Sequence, residues 1–247
     1  MVDGGRRFRY NAPVIRRFDW GSNSDISALI EEARKALDQK GWEEAVNVFQ
    51  FLSIWIHHFQ SKLGQLNGVS HLSNPDDPPD AIGHFSNHDI PIEVCSITPA
   101  HVKQSDDLHR KVGGNQGRYD VPISQKPRSA AEARDWMYGP GGVDIWESFT
   151  DAVETVHHSI VDAAKKKFGK PSIAKLEPGV LLLPSDRLFG YLGEEEAVRA
   201  AFNAVRKEVP AANAWVLAVH HQWNGRECFS AIDDPSSGFA LKREAKS

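Results

Sequence analysis

The sequence predicts an α+β fold, with an N-terminal αα-hairpin, a loop-rich middle and a C-terminal antiparallel sheet with packed helices. Three observations predict it. Two consecutive segments between Ser24 and Gly64 carry apolar residues at helical spacing. The stretch from Asn67 to about Arg128 is crowded with prolines and glycines. Near the C-terminus Asn224-Gly225 separates two β-rich runs, a strong hairpin signal because both central residues of a type I′ turn need positive φ. The chain is read as one domain over 1–247: a basic arm plus helical hairpin (1–66), an irregular segment (67–128) and an α+β unit (129–247).

Taken in order, Phe8, Tyr10, Val14 and Ile15 among arginines read as an extended arm or an edge strand. Ser24 can cap a helix carried by Ile26, Leu29, Ile30, Ala33 and Leu37, with Gly41 as its stop. From Trp42 to about Leu63, Ala45, Val46, Phe49, Leu52, Ile56 and Phe59 make one face of a second helix, ended by Gly64. The run from Gly41 to Phe49 resembles the turn and second helix of a tetratricopeptide repeat. It is one residue short and has no further copy, so the chain is not read as a repeat protein.

Inside the irregular segment only Ile90 to Ile97 reads as a strand. Ser129 and Glu132 have capping-box spacing before a short helix, and Asp144 and Glu147 repeat that spacing before a long one. The long helix would bury Ile145, Phe149, Val153, Val156, Ile160 and Ala164, with Lys165 to Lys167 complementing its C-terminal dipole. The tail reads as a strand (180–183), a helix (about 194–209) and two strands (214–222 and 226–232), with helices packed on one face of the sheet.

Composition narrows the function classes. Hydrophobic residues at 40% and charged residues at 25% are those of a chain that folds on its own core. A net charge of -4 supplies no global field for nucleic acid or an anionic membrane, so such a partner must use a local patch. Two cysteines in 247 residues argue for a reducing compartment, and no export signal is read at the N-terminus, so a soluble cytoplasmic location is expected. The longest apolar runs fall well short of the roughly 20 residues that span a bilayer, and no membrane association is expected.

Three constellations could carry chemistry. Counting back from the Asn-Gly turn pairs His221 with Cys228, and a thiol beside an imidazole can be activated as a nucleophile, with Asp233 or Asp234 orienting the ring. The competing reading makes Cys228 a small core residue. In the irregular segment Asp80, His84 and His88 stand four residues apart and would share a helix face, close enough to hold one divalent metal such as Zn, with His71, Asp76 or Asp89 completing the shell. The pattern HExxH is absent, Gly83 weakens that helix, and solvated loop residues are the competing reading. Third, Arg6, Arg7, Arg9, Arg16 and Arg17 alternate with Phe8, Tyr10, Phe18 and Trp20, a mixture that suits an acidic protein or a nucleic acid. A solvated edge strand is the competing reading. Three pairs, His57-His58, His157-His158 and His220-His221, would make a metal or proton-transfer site if they converged.

No Walker A loop, no GxGxxG after a strand, no GxSxG and no CxxC is present. The sequence therefore leads to a macromolecular recognition protein, a regulatory, inhibitory or assembly component binding another protein. The alternative is a hydrolase, either metal-dependent through Asp80, His84 and His88 or thiol-based through Cys228 and His221. The sequence does not separate an enzyme from a binding protein.

Overall fold

The structure is a computed structural model that describes residues 14–21, 25–72, 79–111, 121–122, 124–140, 148–173, 176, 178–185, 194–223 and 227–245. Its centre is a mixed sheet of eight strands that lie side by side in sequence order. They are β1 (Val14–Asp19), β2 (Leu66–Leu72), β3 (Ala81–Phe85), β4 (Asp89–Val94), β5 (Val180–Ser185), β6 (Val216–Trp223), β7 (Glu227–Asp234) and β8 (Gly238–Ala245). The helices are α1 (Ile26–Ala36), α2 (Gln39–Leu63), α3 (Ala100–Lys111), α4 (Ala130–Tyr138), α5 (Phe149–Phe168) and α6 (Glu194–Glu208).

The α+β class and the N-terminal helical pair agree with the sequence reading, with shifted ends. Asp25 caps α1 by accepting from Ser27 N–H, and Asp38 caps α2 by accepting from Gly41 N–H. Gly41 therefore sits in the first turn of α2 instead of stopping α1. A Cβ there would lie 2.9 Å from His71 Nε2, so the missing side chain lets that ring pack against the helix. Gly64, with φ of 80°, ends α2 as expected. Ser129 caps α4 by accepting from Glu132 N–H, as the box predicts. Ser148 caps α5 by accepting from Asp151 N–H, and the box at Asp144 and Glu147 lies outside the described residues.

The middle segment differs most from expectation. Residues read as loop form β2 and β3, and α3 follows the expected β4. These strands show almost no polar alternation: all five β3 residues but His84, and all of β4 but Asp89, are buried. Central strands covered on both faces lose the period-two signal. Helix α3 is polar and buries only Val102 and Ser105, so it carries no apolar stripe to read.

The C-terminal sheet is also not purely antiparallel. β5 pairs in parallel with both β4 and β6, while every other neighbouring pair is antiparallel. Helix α6 crosses between β5 and β6, and the segment holding α3, α4 and α5 crosses between β4 and β5, lengths that parallel pairing requires.

Helices cover both faces rather than one. Val180, Leu182, Val216, Ala218 and Ile232 pack with α1 and α2 residues such as Leu29, Phe49, Leu52 and Trp55. Leu181, Leu183, Leu217, Val219 and Ala231 pack with α5 and α6 residues such as Ile160, Ala164, Phe202 and Val205. β1 is an edge strand, one of the two forms read for the arm. Among the described residues no helix is long and apolar enough to cross a membrane.

One polar cluster fastens the end of α2 to the β7–β8 turn. Asp234 Oδ2 accepts from Lys62 Nζ and faces His58 Nε2, both at 2.7 Å, while Oδ1 accepts from Ser236 N–H and Oγ–H. Burial pushes this carboxyl up, but Lys62, Ser236 and His58 outweigh it and hold it well below the ordinary carboxylate range. A lowered carboxyl contributes stability above its ordinary pKa of 3.8 and loses it as pH falls below that value. Asp234→Asn should cost about 1–3 kcal/mol near neutral pH in urea denaturation, with the gap from wild type narrowing in acid; an equal gap at both would contradict this account.

Candidate functional site

A cleft of about 860 Å³ opens beyond the carboxyl ends of the parallel strands β4 and β5. Crevices in this position are where open α/β sheets generally take ligands, because the chain leaves the strands there and loop and helix side chains converge. One wall is the first half of α2, from Gln39 to Gln50. The others are Asp80 before β3, Val94 to Ser96 after β4, four residues of α3, Lys167 of α5, and Pro184 and Ser185 of β5.

At the base of the cleft wall two carboxylates share one ammonium. Lys167 Nζ makes a short ion pair with Glu93 Oε1 and lies 3.8 Å from Asp80 Oδ2. Asp80 is placed by the sheet itself, because Val94 N–H donates to its Oδ2 at 2.7 Å. Side-chain exposures of 2%, 12% and 14% for Glu93, Asp80 and Lys167 remove most of their water. Oε2 of Glu93 is buried and has no hydrogen-bond partner among the described residues. Glu44 of α2 lines the same cleft within reach of the charges of Asp80 and Lys167, 3.3 Å from Lys40 Nζ.

The electrostatics follow from one cation serving several anions. Burial pushes Glu93 up to about 7, the charge of Asp80 adds to the rise, and Lys167 opposes it. Burial would lower Lys167, but Glu93 and then Asp80 outweigh it, so the ammonium is held above its ordinary value. The two directions agree: the lysine has two carboxylate neighbours, while each carboxylate has only part of a lysine. Glu44 is raised by burial and then by Asp80. Replacing such a buried group by apolar residues is commonly neutral or stabilising, so its presence at a cleft wall points to use rather than to stability.

Of the expected residues, Asp80 belongs to this site, but the helix on which Asp80, His84 and His88 would share a face does not exist. His84 lies on β3, four residues of extended chain and about 13 Å from Asp80, too far for one ion, while His88 sits in the turn from β3 to β4, its carbonyl accepting from Phe85 N–H. Both ring nitrogens of His84 have protein partners, Ser70 Oγ at 2.7 Å and Asp89 Oδ1 at 2.9 Å. His71, on the neighbouring strand, is lowered by burial and packs on Gly41. Asp76 lies outside the described residues. Among the described residues no three His, Cys, Asp or Glu side chains form a ready-made metal cage.

The hairpin register is shifted by one from the expectation. β6 pairs His221 with Phe229 and Gln222 with Cys228, so three residues rather than two separate the paired ends, and His220 and His221 point to opposite faces. The thiol of Cys228 therefore meets His220 Nδ1 at 3.7 Å, and His220 Nε2 lies 3.3 Å from Gln50 Oε1. His221 Nδ1 instead donates to the Ser185 carbonyl at 2.6 Å. Asp233 is bound to Arg206 and Asp234 to Lys62, so neither orients either ring.

In the arginine arm, Arg6, Arg7 and Arg9 lie outside the described residues. Arg16 and Arg17 are exposed on β1 and sit beside Glu32 and Asp19, whereas Phe18 and Trp20 are buried against Phe49 rather than presented to a partner. The histidine pairs serve separate purposes: His58 binds Asp234, His220 and His221 have the partners given above, and His157 and His158 contact each other.

Sequence reasoning missed Glu93, Lys167 and Glu44. Glu93 carries one usable signal, a lone acid inside the apolar strand Ile90 to Val94, whereas Lys167 reads locally only as one of three lysines complementing a helix dipole. No family model, curated protein or solved structure matches this chain.

Burial, and then His221, pull His220 down to about 4, so at neutral pH its ring stays neutral and does not form an imidazolium–thiolate pair with Cys228. In a Cys95→Ala background, iodoacetamide labelling of Cys228 should therefore keep rising up to about pH 9 without the plateau near pH 6 that such a pair produces. An early plateau would restore the thiol hydrolase reading.

Proposed function

We propose that the chain is a divalent-metal-dependent phosphodiester hydrolase acting on nucleic acid, with Asp80, Glu93, Lys167 and Glu44 as its working groups. The carrying observation is the Lys167 ammonium at the wall of the cleft, shared between Asp80, which also lines the cleft, and Glu93, which is buried beside Lys167 and does not itself line it. Carboxylates repel a phosphate unless a cation bridges them. Mg²⁺ and similar ions are commonly held by one or two carboxylates, with waters and substrate phosphate oxygens filling the other positions, so a complete protein cage is not required. The buried, unpartnered Oε2 of Glu93 is the lone pair such an ion would satisfy.

The cleft mixes acids with cations, two of them already paired, Lys40 with Glu44 and Arg110 with Asp107. Lys40, Lys103 and Arg110 line it, and Trp42 adds an aromatic face of the kind on which bases stack. A divalent ion held by Asp80 and Glu93 would supply Lewis acidity and a water of lowered pKa. The chain's own contributions are separable. Lys167, kept protonated by its two neighbours, stabilises the charge that develops on the phosphoryl oxygens. Glu44, with its raised carboxyl, accepts a proton from the attacking water as the water oxygen bonds to phosphorus and the bond from phosphorus to the ester oxygen breaks. The departing oxygen takes its proton from solvent.

The protein-recognition role expected from the sequence rests on the arginine arm, where the described members, Arg16 and Arg17, already sit beside acidic groups of this chain. It ranks second for that reason.

Because Glu93 must lose its proton to bind a metal, Mn²⁺ affinity should fall about tenfold per pH unit below 7. Calorimetry at several pH values reads this, and Glu93→Gln should remove the dependence along with most of the affinity. Lys167→Ala should lower kcat for an oligonucleotide by about 10²–10³ while leaving Mn²⁺ binding in place. Wild-type protein that neither binds Mn²⁺ nor cleaves a phosphodiester in its presence would sink the proposal.

A further inference from the structure

Beside the first cleft lies a second of about 410 Å³, between α3 and the start of α4, and helix α3 separates the two. Lys103, Asp106 and Arg110 of α3 line the first, while Ser105, Leu108 and Lys111 line the second, and Asp107 borders both. The second cleft has the charge the first lacks. Lys111, Lys126 and Arg128 line it against Asp107 as its one carboxylate among the lining residues. Among the described residues no carboxylate lies within ion-pair distance of Lys111, Lys126 or the Arg128 side chain. The nearest acid on α4, Glu132, instead accepts from the Arg128 backbone N–H, and Ser129 caps the helix, so the helix end is closed by its own residues rather than by the cations.

Resting on the phosphodiesterase reading above, we infer that this cationic cleft holds a phosphate of the same nucleic acid strand, outside the bond that is cleaved. The separation fits: a helix with its side chains is about 10–12 Å across, which is roughly three stacked nucleotides at about 3.4 Å each. The division of labour is physical. The first cleft carries carboxylates and takes a phosphate only through a metal, whereas the second carries three cations that pair with no carboxylate among the described residues and takes one directly. It therefore supplies metal-independent affinity and sets which phosphate along the strand reaches Asp80 and Glu93.

The test is fluorescence anisotropy of a labelled single-stranded oligonucleotide of about 20 nucleotides, in EDTA so that nothing is cleaved, across a salt series. The triple variant Lys111→Gln/Lys126→Gln/Arg128→Gln should bind at least about tenfold more weakly, and the slope of log affinity against log salt should shrink by about 0.7 as one phosphate contact is lost. Lys126→Glu alone, at an exposed position, repeats the test if the triple variant has a lowered thermal midpoint. Unchanged affinity and slope, or a wild type that does not bind the strand, would overturn the inference. Wild-type hydrolysis of bis(4-nitrophenyl) phosphate with Mn²⁺ needs only the first cleft and separates the two proposals. Hydrolysis with unaltered strand binding removes the second cleft alone, while strand binding lost in the variant without any hydrolysis removes the catalytic reading alone.

Discussion

The structure depends on β5 being apolar toward both sides. Val180 and Leu182 enter the layer of α1 and α2, and Leu181 and Leu183 enter the layer of α5 and α6. A strand with no polar face must be central, and its neighbours β4 and β6 must be covered likewise. Crossovers long enough to return the chain for parallel pairing then place helices on both faces. From this one burial requirement follow the three layers, the parallel centre and the cleft beyond the strand ends where the chain leaves the sheet.

The same burial gives the charged groups their properties. Glu93 stands on a strand whose other residues past Asp89 are buried, and the helix covering its face ends in lysines. Removing water raises the free energy of each ion, and the pairing with Lys167 offsets only part of it because Asp80 competes for the same ammonium. The result is a carboxyl balanced between its two protonation states near neutrality beside an ammonium that is not. Such a site responds strongly to an added cation, since one more positive charge relieves Glu93 and Asp80 together.

Helix α3 connects the two clefts. Its polar composition gave no sequence signal as a packed helix, and that polarity suits a partition exposed on two sides. On one side its charges are mixed and lie above buried carboxylates, while on the other cations dominate. Under the two proposals, a strand of phosphates laid across it would meet the acidic cleft and the cationic one in succession.

Local chemistry made much of the fold legible. The α1–α2 pair, the cap at Ser129, the stripe of Val156, Ile160 and Ala164 in α5, and the closing β6–β7 pair follow from periodicity, capping and turn residues acting within a few positions. The sequence grouped Asp80 with His84 and His88 by four-residue spacing, which brings side chains together only on a helix, whereas His84 stands on a strand and Asp80 just before it. The pairing of Cys228 with His220 instead of His221 turned on a single extra residue between the paired strand ends, which flips every side chain to the other face. What the sequence by itself determined are the interactions between near neighbours in the chain. What only the tertiary structure decided is the meeting of Asp80, Glu93 and Lys167, since Lys167 lies 74 positions from Glu93 and is brought to it by the crossover between parallel strands, a contact that no local pattern encodes.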